Sequence, residues 1–202
     1  MKSFLLKEKA MTLVKVSRKT LETSIELELD LFPQKKEVII ETEVGFLNHM
    51  LNLFSHHGGF TLKLKAKGDL EVDFHHTVED IGIVLGEAIS KALGSRENIY
   101  RYGEATIPMQ EALTQAVVDL AKRPYLYFKV NFPSEKIGNF DTELLKEFFY
   151  ALTVNAQITL HIRNFYGENS HHIAESIFKA FAYAFRRALT PVTEVRSTKG
   201  TL

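Results

Sequence analysis

One short pattern occurs twice in this sequence, and that repetition constrains the fold more than any other feature. His75-His76-Thr77-Val78-Glu79 returns as His171-His172-Ile173-Ala174-Glu175, with the two glutamates 96 residues apart. Each copy runs into an apolar series at helical spacing. The first continues through Ile81, Val84, Leu85, Ala88 and Ala92, the second through Ile177, Phe178, Phe181, Ala184 and Ala188. Residues four apart share a helix face, so His75 and Glu79 reach one point, as do His171 and Glu175. His76 and His172 point about 100° away around the axis. Like donors at the start of two like helices read as a duplication.

The segments between the motifs follow a matching order. Alternation across residues 12–31, with Ile25, Leu27 and Leu29 against Ser24, Glu26, Glu28 and Asp30, predicts strand. Residues 38–42 read as a second strand, paired with it as a hairpin through the turn at Phe32-Pro33-Gln34. Residues 45–57 place Phe46, Met50, Leu53 and Phe54 at helical spacing, and Gly58-Gly59 ends that helix. Strands at 60–67 and 70–72 precede the first His-His helix. The second half supplies strands at 116–120 and 125–131, a helix at 142–155 and a strand at 158–164, then the second His-His helix. The expectation is an α+β fold, internally duplicated, each half a mixed β-sheet with two helices around a shared core. The halves are 12–97 and 98–202, after an extension at 1–11.

Composition narrows the function. A chain of 202 residues, 45% hydrophobic, can bury a substantial core. Its 25 acidic and 25 basic side chains balance, which favours neither nucleic acid nor an anionic membrane as partner. It has no cysteine, so any metal is held by nitrogen and oxygen. No apolar run approaches the ~18 residues that span a bilayer. The apolar stretch Phe4-Leu5-Leu6 is too short for a signal peptide. A cytoplasmic protein is expected.

A lone histidine is ordinarily structural. Six donors in a duplicated pattern (His75, His76, Glu79, His171, His172 and Glu175) point instead to metal. The repeat sets Glu147 opposite His49, so if His49 is a ligand then Glu147 takes the equivalent place. His161 aligns with Lys63, which leaves it a bracing or structural role rather than a ligand's. His56 and His57, beside Gly58-Gly59, read as loop or helix-end residues. Eight donors divide into two sites of four with positions left for water or substrate, a set that suits manganese or iron(II). Because adjacent histidines diverge, one site would take His75 and Glu79 with His172. The other would take His171 and Glu175 with His76, and the partners can come from neighbouring subunits. Arg101, Arg123, Lys179 and the Ser197-Thr198-Lys199-Gly200 segment suit a phosphate, although each alone also reads as solvated surface charge, and the tail as a frayed end.

Taken together, these residues resemble the imidazoleglycerol-phosphate dehydratase family from about residue 16 to 202. The resemblance is carried by Gly45-Phe46-Leu47-Asn48-His49-Met50-Leu51, His57-Gly58-Gly59-Phe60, Gly68-Asp69-Leu70, the two His-His motifs, Pro108-Met109, Arg123-Pro124-Tyr125, Phe178-Lys179-Ala180-Phe181 and Ser197-Thr198-Lys199-Gly200. It implies a fold of the ribosomal S5 domain 2-like kind, with helices packed between two sheets, and trimers building a 24-subunit shell. It implies dehydration of imidazole glycerol phosphate to imidazole acetol phosphate in histidine biosynthesis, by way of a metal-bound imidazolate. Two Mn2+ per active site would be held at subunit interfaces by His49, His75, His76, Glu79, His171, His172 and Glu175. Where the family commonly has histidine, this chain has Glu147. Phosphate would be held by Arg101, Arg123, Lys179, Ser197 and Lys199. Glu22 matches an acidic position near the reacting centre, and Glu22 or Glu175 would act as acid/base. Asn48 stands where aspartate is usual. Two other readings compete: a dinuclear-metal hydrolase of a phosphorylated metabolite, and an assembly module in which metal joins subunits without catalysis.

Overall fold

The computed structural model describes residues 13–193. The chain runs β1 (Val14–Lys19), β2 (Thr23–Asp30), β3 (Val38–Glu41), α1 (Gly45–Gly58), β4 (Thr61–Gly68) and α2 (His75–Leu93). It then repeats that order with β5 (Tyr102–Met109), β6 (Ala112–Asp119), β7 (Tyr125–Lys129), α3 (Leu144–Ala156), β10 (Thr159–Tyr166) and α4 (Ser170–Ala188). A small hairpin, β8 (Lys136–Ile137) with β9 (Phe140–Asp141), is inserted before α3.

The two four-stranded sheets have equivalent orders, β1-β2-β4-β3 and β5-β6-β10-β7. In each, the third strand joins its sheet parallel to the strand after the helix: β3 along β4, β7 along β10. The 38–42 segment therefore does not form a hairpin with what precedes it. The hairpin lies within 12–31, where Thr20 Oγ1 accepts the N–H groups of Glu22 and Thr23 and turns the chain. Residues 70–72 are a turn rather than a strand, and β5 is a strand that alternation did not reveal. Its outward residues, Tyr102, Glu104 and Thr106, mix aromatic with polar and blur the period.

Each sheet turns its apolar face to the helices. Ile25, Leu27 and Leu29 of β2, and Leu62 and Leu64 of β4, are almost fully buried, as are Ala116 and Val118 of β6 and Leu160 and Ile162 of β10. Helix α2 lies on β1 and β2, and α4 on β5 and β6. The helices then pair across the repeat, α2 with α3 and α1 with α4, so that both halves share one core. The α2–α3 contact is close: a Cβ on Gly82 would come within 2.7 Å of the Phe148 carbonyl, and one on Gly86 within 2.6 Å of the Leu152 carbonyl. Phe54, Phe60, Phe149, Phe178, Phe181 and Phe185 fill the centre. No helix of the described residues is long and apolar enough to cross a membrane.

Candidate metal and active site

The cross-packing of α1 on α4 brings His49 to the second motif. His49 Nε2 lies 3.0 Å from Glu175 Oε1, and His171 Nε2, one turn before Glu175 on α4, lies 3.2 Å from the same oxygen. The other carboxylate oxygen, Oε2, accepts from Lys179 Nζ at 2.6 Å. Burial alone pushes the Glu175 carboxyl up. The hydrogen bonds from Lys179 and His49 and the Lys179 charge outweigh it and bring the pKa down to about 2. The His171 ring is met edge-on by Phe46. Asn169 caps α4 by accepting the N–H groups of His171 and His172, which fixes where both histidines leave the helix.

A second trio forms where α2 begins. His76 Nδ1 is 2.9 Å from Asp69 Oδ2 and 3.8 Å from Glu22 Oε2. The hydrogen bond to Asp69 comes first, and the Glu22 charge second, among the influences that raise the His76 pKa. The β1–β2 turn that carries Glu22 is tied to α2. Thr23 Oγ1 donates to Asp80 Oδ2 at 2.5 Å and Arg18 Nε to Asp80 Oδ1 at 2.9 Å, one turn beyond His76. His75 and Glu79 stand beside this trio with Nε2 and Oε2 4.0 Å apart. In the second half, His172 Nδ1 meets Glu111 Oε2 at 2.8 Å.

Among the described residues, two trios place nitrogen and oxygen donors within 4.8 Å of one another: His49, His171 and Glu175, and Glu22, Asp69 and His76. In the first trio two imidazole nitrogens and a carboxylate fit a divalent ion of the manganese or iron(II) type; in the second, Asp69 takes Nδ1 of His76, so Nε2 is the nitrogen left for such an ion. Neither trio contains residues of both motifs.

The comparisons decide the family. The profile of the imidazoleglycerol-phosphate dehydratase family matches residues 42–185, from just before α1 to near the end of α4. A relative from Clostridium kluyveri, an imidazoleglycerol-phosphate dehydratase, is 50% identical over 191 residues, covering 95% of this chain and 98% of its own. One from Acetivibrio thermocellus is 53% identical over 190 residues, covering 93% and 97%. The chain belongs to the imidazoleglycerol-phosphate dehydratase family. Solved structures agree. The Staphylococcus aureus dehydratase superposes with a TM-score of 0.80 at 43% identity, over 88% of this chain and 98% of the other. The Pyrococcus furiosus dehydratase, solved in complex with (S)-C348, gives 0.81 at 40% identity, over 93% and 100%. The chain is accordingly an enzyme, a hydro-lyase of histidine biosynthesis.

The remaining candidates in this imidazoleglycerol-phosphate dehydratase relative fall in several places. Arg101 and Arg123 converge on Asp119: Arg101 Nε and Nη2 donate at 2.6 and 2.9 Å, and Arg123 Nη2 at 3.0 Å. Lys179 stands instead beside the His49–His171–Glu175 trio, on the second oxygen of Glu175. Ser197 and Lys199 lie outside the described residues, as does the 1–11 extension. Glu147 sits in the first turn of α3, half-buried, and joins neither trio. His161 stacks on Tyr127 on the outer face of the second sheet, with ring centroids 5.3 Å apart. His57 contacts Tyr183, and its pKa is lowered by burial and by the nearby Lys179 charge. Asp69, Glu111 and Asp119 were not among the candidates drawn from the sequence. Asp69 lies within the Gly68-Asp69-Leu70 stretch that carries the family resemblance, and Glu111 gives no signal of its own.

Proposed function

We propose that this chain dehydrates imidazole glycerol phosphate to imidazole acetol phosphate with Mn2+, in sites that two or more copies of the chain complete together. The observation that carries this reading is the pair of separate part-sites. One gathers His49, His171 and Glu175, the other sets His76 beside Glu22 and Asp69, and neither draws on both motifs. Pairing His75 and Glu79 with His172, and His171 and Glu175 with His76, then calls on neighbouring chains, with His49 and Glu147 completing one site each. The second trio is flanked by exposed apolar side chains, Leu21 next to Glu22 on the β1–β2 turn (106% exposed) and Val72 in the turn after Asp69 (64%), which supports a protein surface seated there. Assembly into trimers and a 24-subunit shell is the arrangement we adopt. Light scattering checks it against the 23.0 kDa chain mass.

The reaction removes a proton from a carbon with no adjacent carbonyl and expels a hydroxyl, so that water leaves and a C=C bond forms on the way to the ketone. A divalent ion supplies Lewis acidity toward the imidazole and the substrate oxygens. The chain's own residues supply orientation and proton movement. Glu22 is half-exposed on a braced turn beside His76, which suits a carboxylate that takes or returns a proton. Glu175 is held ionised by Lys179 and His49, so it serves as an acceptor or a ligand. Arg101 and Arg123 present two guanidinium groups to the phosphate, and Lys179, Ser197 and Lys199 complete that clamp. We place the enzyme in the cytoplasm, where phosphorylated intermediates are retained by their charge.

Chelator-stripped protein, given back Mn2+ and imidazole glycerol phosphate, tests the reading. Imidazole acetol phosphate formed only with metal supports it. Release of inorganic phosphate would favour the hydrolase, and an intact metal-bound oligomer without product would favour the assembly module.

A further inference from the structure

The duplicated motifs are braced by carboxylates that are not themselves duplicates. His76 Nδ1 is met by Asp69 from the β4–α2 connection, and His172 Nδ1 by Glu111 from the β5–β6 turn. The ladder registers show which positions correspond. Leu62 faces Leu29 and Val38, and Leu160 faces Val118 and Leu126. Stepping back along β2 and β6 from those pairs, Glu22 and Glu111 occupy the same place in their hairpins. Yet Glu111 is hydrogen-bonded to its histidine at 2.8 Å, while Glu22 stands 3.8 Å from His76.

The connections differ in the complementary way. In the first half the connection carries the carboxylate, Asp69. In the second half the β10–α4 connection donates its own N–H groups, from Glu168 and Asn169, to Glu111 Oε1 at 3.2 and 2.9 Å. Two halves thus reach one geometry, a carboxylate on Nδ1 of the second histidine, from non-corresponding residues. Simple copying does not produce that, whereas a requirement on the histidine does.

We propose that Asp69 and Glu111 are positioning residues that hold His76 and His172 with the proton on Nδ1 and the Nε2 lone pair facing outward toward a metal. A carboxylate on one ring nitrogen fixes the tautomer and the ring plane, and makes the other nitrogen a better donor. The division of labour also explains Glu22. Because Asp69 orients His76, the hairpin carboxylate of the first half is released from bracing and stands half-exposed beside the site. Glu111 has no such freedom, as both its oxygens are engaged. The inference rests on the metal reading of His76 and His172.

The test uses the full-length protein and Asp69→Ala, Asp69→Asn, Glu111→Ala and Glu111→Gln. Imidazole nitrogen shifts by NMR in the metal-free state report the tautomer, and calorimetric titration with Mn2+ reports affinity. In the wild type, His76 and His172 are expected as Nδ1–H tautomers. Each alanine variant loses that preference at its own histidine alone and binds Mn2+ about 10–100-fold more weakly at the site that histidine serves. The Asn and Gln variants, which keep an acceptor oxygen, recover part of the loss. Wild-type tautomers and wild-type affinities in the alanine variants would overturn the positioning role. Failure of the wild type to take up Mn2+ would instead overturn the metal reading, and the NMR arm would still decide whether the carboxylates orient the rings.

Discussion

Lys179 and Glu175 form an ion pair one turn apart on α4, Nζ to Oε2 at 2.6 Å, while His49 and His171 share the carboxylate's other oxygen. Both side chains are largely buried, so the lysine is the nearest full positive charge to a carboxylate that has little water. Lys179→Met keeps the stem and removes the charge. It is expected to cost the metal-free protein about 2 kcal/mol, the range for a hydrogen bond to a charged group, read from urea unfolding. It also raises KM for the phosphorylated substrate.

Asp119 links stability to pH. Burial pushes its carboxyl up, but the hydrogen bonds and charge of Arg101, the Ala121 N–H and Arg123 prevail and hold it below its ordinary value of 3.8. A carboxyl lowered in the folded state adds stability that is present above 3.8 and is lost as pH falls through the folded value. Acid unfolding of Asp119→Asn should therefore show a shallower loss than the wild type below about pH 4. At neutral pH the variant should bind inorganic phosphate more weakly, because the two guanidinium groups lose their common anchor.

The α2–α3 contact predicts a steric cost. Gly82→Ala and Gly86→Ala each set a methyl group against backbone rather than against a movable side chain. Each should destabilise by about 1–3 kcal/mol, the cost of overpacking a close-packed interior, seen as a lower thermal midpoint. Activity per folded molecule should hold, since neither residue touches a donor of the site.

Arg96 is buried at the end of α3. Its guanidinium donates to the carbonyls of Leu120, Ala156 and Gln157 at 2.7–2.8 Å. It satisfies helix-terminal carbonyls with a planar fork that lysine does not reproduce. Arg96→Lys is expected to cost roughly 3 kcal/mol, through carbonyls left without partners, measured by denaturant unfolding.

Much of this was legible in the chain. The His-His motifs, the helices they begin, and α1 with its glycine stop at Gly59 follow from local periodicity and capping, which tertiary packing did not override. Strand partnership did not follow, because β3 is a short alternating run and nothing in it tells antiparallel pairing with β2 from parallel pairing with β4. Asp69 and Glu111 escaped for a related reason. An offset set by the motifs finds only residues repeated in place, and the inserted β8–β9 hairpin changes the spacing between hairpin and motif. The equivalence of Glu22 and Glu111 became visible only through the sheet registers.

Subunit mixing tests whether a working site takes one motif from each of two chains. His76→Ala and His172→Ala are prepared separately, shown to be inactive, then dissociated and reassembled together with Mn2+. Cross-chain sites predict that activity partly returns in the mixture, since some interfaces join an intact first motif from one chain to an intact second motif from the other. A mixture as inactive as its parents, in oligomers shown to contain both chains, would mean that each site is built within a single chain and would contradict the cross-chain site.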